Sequence, residues 1–134
     1  KRLVFLEGLL TKLDISDVRL LHGRAEDYAK TDEHREVYDL AVSRAVSNLS
    51  VLFEYGIPYV KVGGYFISYK SGDYSEELKS SFNSLRTLGG DFDSAKEFKI
   101  AGNEIDRSLL FFNKIENTKK KYPRKAGTPQ KNPL

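Results

Sequence analysis

Apolar positions along this chain fall into short clusters whose spacing changes in a regular order. Leu3, Leu6, Leu10 and Leu13, joined by Val4, Phe5 and Leu9, recur at helical spacing and predict an amphipathic helix ending near Asp14. Val18 to His22 then reads as a short strand broken by Gly23, and Ala25 to Lys30 as one or two helical turns. The polar stretch 31–36 is a loop. Val37 to Val42 resumes as a largely apolar run, the pattern of a parallel strand covered on both faces. Ser47 or Asn48 can cap a helix through Leu49, Leu52 and Phe53 to Tyr55, stopped by Gly56 and Pro58. Gly63-Gly64 predicts a turn, and Tyr65 to Tyr69 a strand.

Leu78, Phe82, Leu85 and Leu88 return to helical spacing, ended by Gly89-Gly90. Phe98 and Ile100 alternate with charged residues, and after Gly102-Asn103 comes Leu109 to Phe112. Two strands with no helix between them imply an antiparallel pair. The expected architecture is therefore an open α/β sheet, mostly parallel, with an antiparallel strand at the end. Ligands of such sheets lie at the carboxyl ends of the strands, which directs attention to the loops after His22, Ser43 and Tyr69. From Thr118 the chain has three prolines and no apolar period, predicting an extended, locally anchored tail (118–134) behind an ordered domain (1–117).

Composition narrows the chemistry. The 134 residues suit one domain, and no apolar run approaches the roughly 20 residues of a membrane span. Cys is absent, which removes disulfides and thiolate sites and makes the cytosol the default compartment. His22 and His34, in separate segments, are too few for the usual zinc sites, so no metal is expected. Met is also absent and Lys1 already lies in an apolar-periodic segment, so the sequence reads as a piece of a longer protein.

The net charge of +3 is unevenly spread: residues 113–134 hold seven Lys or Arg and one acid, against 15 bases and 18 acids before them. The cluster Lys119-Lys120-Lys121-Tyr122-Pro123-Arg124-Lys125 reads either as a polyanion contact, driven by counterion release, or as a solubilising tail. Neither the G-x-G-x-x-G nor the G-x-x-x-x-G-K-[ST] phosphate loop occurs, and there is no G-x-S-x-G elbow. Glu26 and Asp27 follow a predicted strand, where a loop offers amides and a carboxylate to a nucleoside; equally, acids suit a helix N-terminus. Arg44 sits at the next strand end, either in the crevice or paired with an acid such as Glu26.

KRLVFLEGL at the start, HGRAED at 22–27, SRAVSNLSVLFEYGIPYVKVGGYF at 43–66 and YPRKAGTPQKNPL at 122–134 resemble the C-terminal part of the bacterial glucose-inhibited division protein B family. These are methyltransferases that modify a guanine N7 in 16S ribosomal RNA. The resemblance implies a class I S-adenosylmethionine-dependent methyltransferase (Rossmann-like) fold with its first strands, including the glycine-rich cofactor loop, ahead of Lys1. It implies S-adenosyl-L-methionine as cofactor, with contacts at Ala25, Glu26 and Arg44, and 16S rRNA or the assembling small subunit as partner. It further implies a gap in the sheet beside the predicted third strand, and weak cofactor binding by this piece alone. In the tail, Lys121, Arg124 and Lys125 are candidates for phosphate contacts and Tyr122 for stacking on a base. The other reading is a non-catalytic RNA-binding module working through the basic tail.

Overall fold

A computed structural model of the chain describes residues 2–44, 47–100 and 106–134. Its elements are α1 (Arg2–Lys12), α2 (Ala25–Tyr28), β1 (Tyr38–Arg44), α3 (Leu49–Gly56), a 3-10 turn (Ile57–Tyr59), β2 (Val60–Ser71), α4 (Ser75–Thr87), β3 (Gly90–Lys99), β4 (Asp106–Lys114) and α5 (Thr128–Lys131). The sheet order is β1-β2-β4-β3. β1 runs parallel to β2, while β4 is antiparallel to both β2 and β3. The expected antiparallel strand is thus present, inserted between β2 and β3 rather than added at the sheet's end. The carboxyl ends of β1, β2 and β3 share one edge of the sheet, where Arg44 stands opposite Tyr69, Ser71 opposite Arg107 and Lys99 opposite Asp106.

One face of the sheet carries the core. On β2 and β4, alternate residues Phe66, Leu110 and Phe112 point to the same side and meet Leu49, Leu52 and Phe53 of α3 and Leu85 and Leu88 at the end of α4. Phe53 stands edge-on to Phe112 at 4.6 Å and to Phe66 at 6.2 Å. The N-terminus of α3 is fixed by the Asn48 side chain, which accepts from the Val51 N–H at 3.1 Å. Gly56 at its end lets the Phe66 ring approach to within 2.3 Å of where a Cβ would stand.

Four expectations are corrected. Val18 to His22 is not a strand: the segment pairs with no strand among the described residues, and an extended segment becomes a strand only through a ladder partner. β1, an edge strand covered on the α3 side, is not buried on both faces, because no described element packs on its other face; Leu40 is 50% and Val42 57% exposed. Gly63-Gly64 makes a bulge inside one long strand instead of a turn. The β1–β2 register jumps from Tyr38–Val60 to Leu40–Tyr65, Gly63 takes a φ of +87°, and a Cβ on Gly64 would lie 2.5 Å from the Asp39 carbonyl oxygen. α1 forms over the expected residues but buries none of them. The expected Gly102-Asn103 turn lies outside the described residues.

The fourth correction concerns the tail. It folds back onto the domain: Tyr122 is 7% exposed and belongs to the core, and Leu134 packs against it. Arg35 anchors the return by donating to the carbonyls of Tyr122 and Thr118, each at 2.7 Å, and of Ala29 at 3.2 Å. Beside it the buried Lys114 ammonium meets Glu36 at 3.0 Å and donates to the Ile57 carbonyl at 3.0 Å and the Thr118 hydroxyl at 2.6 Å. Burial drives the Lys114 ammonium below its ordinary value, with Glu36 opposing. A segment without apolar periodicity is held here by backbone carbonyls and long-range ion pairs, neither of which leaves a periodic trace.

Candidate active site

At the shared carboxyl edge the strands open into a crevice of about 640 Å³. Arg44 from the end of β1, Lys70 and Ser71 from β2, Arg107 and Ser108 from β4, and Phe98 from β3 line it. Three cations face one carboxylate, Glu77. That carboxylate is occupied: its Oε1 accepts from Lys70 Nζ and from the Leu49 N–H, each at 2.6 Å. Lys70 also donates to the Ser47 carbonyl at 3.3 Å. Together these contacts tie Ser47 and the start of α3 to β2 and α4.

Ser68 is fully buried, lines the crevice, and its hydroxyl has no hydrogen-bond partner among the described residues. A buried hydroxyl without a partner is costly, so its position marks a place suited to a polar ligand atom. The sequence points to the loop after Tyr69 and singles out none of Lys70, Ser68 and Arg107. The available signal was a serine and a lysine on the inward-facing positions of an otherwise apolar strand.

Ala25 lies on a neighbouring hollow of about 390 Å³, lined also by Tyr38, Leu40, Tyr55 and Tyr59 from β1 and the α3 side; Leu52 borders both. Ala25 and Arg44 therefore line adjacent hollows and not one. Arg24, at the N-cap of α2, makes no side-chain hydrogen bond to the helix, while its carbonyl accepts from the Asp27 N–H at 3.1 Å and the Tyr28 N–H at 3.4 Å. The Ala25 carbonyl accepts from the Tyr59 hydroxyl at 2.6 Å, and burial with the neighbouring Tyr38 pushes that phenol up to about 12. Glu26 is 3% exposed, and its carboxylate accepts from the Gly127 N–H at 3.0 Å. It forms no ion pair with Arg44 among the described residues, so that alternative for Arg44 is set aside.

The tail candidates divide. Lys121 and Lys125 are exposed. Arg124 is engaged with the fully buried Glu54, donating from Nε and from an Nη to its two carboxylate oxygens at 2.7–3.1 Å. The Tyr122 ring sits in the core with Lys121 Nζ 5.2 Å from its centre, which leaves no open face for a base to stack on. His22 is exposed and gives only its carbonyl, to the Tyr28 hydroxyl at 2.9 Å. His34 is buried between Tyr28 and Tyr38, its Nδ1 2.6 Å from the Tyr38 hydroxyl. Packing accounts for His34, and the His22 side chain is solvated. Among the described residues no group of three or more His, Asp or Glu could hold a metal ion, and no helix is long and apolar enough to cross a membrane.

A mixed α/β sheet with a polar crevice where its parallel strands end defines the class that binds ligands at strand termini. Within that class the chain belongs to the family described as rRNA small subunit methyltransferase G, whose model matches residues 1–109. A ribosomal RNA small subunit methyltransferase G of Alkaliphilus metalliredigens is 47% identical over the whole chain, which covers 56% of that relative. Its namesake in Clostridium novyi is 45% identical, with 55% covered. The chain thus spans a little over half the length of the curated relatives it matches. A solved arsenic(III) S-adenosylmethionine methyltransferase from Chlamydomonas reinhardtii shares 11% identity at a TM-score of 0.38, over 76% of this chain and 45% of its own.

Proposed function

We propose that the full-length protein carrying this chain transfers a methyl group from S-adenosylmethionine to N7 of a guanine in 16S ribosomal RNA, and that this chain supplies one half of the pocket. Membership of the family carries the reading, and the crevice with Arg44 at its rim supports it. Supporting it, Ala25 and Arg44 line adjacent hollows that share Leu52, and in this reading the Ala25-Glu26 loop would hold the nucleoside and the Arg44 guanidinium the amino-acid carboxylate of the cofactor. When bound, the cofactor supplies an electrophilic methyl.

The chain's own residues then have one task. Guanine N7 bears a lone pair and no proton at neutral pH, so methylation there needs no general base, and a site without a catalytic His or Asp is sufficient. Arg44 and Arg107 give the crevice a cationic rim for a phosphate or for the guanine edge, Lys70 being engaged with Glu77, and Ser68 offers its unpartnered hydroxyl. Lys121 and Lys125 add exposed positive charge for the RNA backbone. Since an RNA duplex hides N7 in its deep, narrow groove, the target is an unpaired base presented by 16S rRNA or the assembling subunit.

The test is methyl transfer from labelled cofactor to small-subunit rRNA, followed by borohydride and aniline cleavage, which breaks the strand at N7-methylguanine. One cleavage site dependent on the protein is expected. Label in a base that resists cleavage overturns the N7 assignment, and RNA binding without label favours a non-catalytic module.

A further inference from the structure

The C-terminal segment reaches both loops that border the proposed pocket. Gly127 donates its N–H to the buried Glu26, next to Ala25, and Gln130 Oε1 accepts from the Ser47 hydroxyl at 3.2 Å, three residues beyond Arg44. Between the loops Arg124 grips Glu54 of α3 through its side chain and also through its main-chain N–H at 2.7 Å. Pro129 is buried, and Gly127 adopts the left-handed φ of +84° that starts α5. We propose that residues 124–130 form a strap that sets the spacing of the Ala25-Glu26 and Arg44 loops, with Gly127 and Gln130 as positioning residues for the methyl donor.

The inference rests on the proposed function, and it assigns the end of the basic tail a task other than RNA contact. No other described residue hydrogen-bonds the Glu26 carboxylate, so displacing the strap leaves a buried charge to be met by rearrangement of the loop that carries it. Gly127→Ala strains the left-handed backbone, since a Cβ there meets no neighbour within 4 Å but has the wrong φ. Gln130→Ala removes only the Ser47 contact, from an exposed side chain.

The experiment measures cofactor affinity by calorimetry, the rRNA KM and thermal unfolding in the full-length protein. Gly127→Ala is expected to weaken S-adenosylmethionine binding about tenfold, and Gln130→Ala about twofold to threefold, with the rRNA KM little changed. Gln130→Glu keeps the acceptor for Ser47 and is expected to restore the affinity. A lowered melting temperature with unchanged cofactor affinity overturns the strap in favour of a purely structural tail. A raised rRNA KM with unchanged cofactor affinity overturns it in favour of RNA contact. Gln130→Ala keeps the test decisive if Gly127→Ala does not fold. Absence of cofactor binding by the unaltered protein refutes the functional reading itself, a result distinct from either.

Discussion

Arg124→Ala is the substitution whose cost the structure defines best. Glu54 has no exposed side-chain surface, whereas the Arg124 side chain is 21% exposed. Of the four hydrogen bonds that join the two residues, truncation removes the three made by the guanidinium and keeps the one from the Arg124 main-chain N–H. A buried carboxylate stripped of its counter-charge costs about 3–5 kcal/mol, and the surviving hydrogen bond places this case at the lower end, about 3 kcal/mol. For a unit of this size that is on the order of a 10 °C fall in melting temperature. Glu54→Gln is expected to cost less, about 1–2 kcal/mol, because a partly exposed guanidinium can turn toward water while a fully enclosed carboxylate cannot. Urea unfolding of the full-length protein with each single variant and the pair measures the coupling. A loss below 1 kcal/mol for Arg124→Ala, or equal losses for the two single variants, refutes the picture of a tail locked by a buried charge.

Other outcomes follow from the same geometry. Arg44→Ala is expected to lower methyl transfer by at least tenfold and shift the melting temperature by under 2 °C, about what losing one charged contact at an exposed rim implies; equal damage to both in paired kinetic and thermal assays makes Arg44 structural. Burial works to raise the Glu36 carboxyl, but Asn117, the Thr118 N–H and Lys114 outweigh it and hold it below the ordinary 4.5. Its contribution is therefore present above that value and lost as pH falls through the lower folded one, so urea midpoints should drop on the acid side and Glu36→Gln should flatten the drop. Tyr59 has the opposite sign: its phenol, raised from 10.0 to about 12, keeps its proton when folded. Stability should decline as pH rises from about 10 toward 12, and a flat alkaline limb in the same titration contradicts the assignment. For RNA affinity, Lys121→Gln and Lys125→Gln should each reduce the log–log salt slope by roughly 0.7 if each meets one phosphate of a single strand, and an unchanged slope makes them solubilising charges only.

What could be read from the sequence was what local periodicity encodes. α3 and α4 bury residues at helical spacing between clear stops, and Asn48 caps α3 as expected. The β3–β4 pair followed from two strands without an intervening helix. Features set by distant partners were not legible. The segment 18–22 has strand composition and no ladder, and Gly63-Gly64 has the signature of a turn yet bends one strand because Asp39 on β1 comes close. Arg35 and Glu36 sit in a stretch that reads as a solvated loop, while their contacts lie more than 80 residues away in the tail. The site shows the same division. Arg44 was placed by its position at a strand end, whereas Ser68 and Lys70 join it only through the pairing of β1 with β2, and Arg107 only through that of β2 with β4.

Hydrogen exchange of the full-length protein with and without S-adenosylhomocysteine addresses the central claim, that the methyl donor is held where the parallel strands end. Added ligand should slow exchange at residues 24–28 and 43–52 and leave the opposite edge, near Glu36, Gly89 and Thr118, unchanged. Protection confined to that opposite edge, or none in this chain while the ligand is bound, contradicts the account.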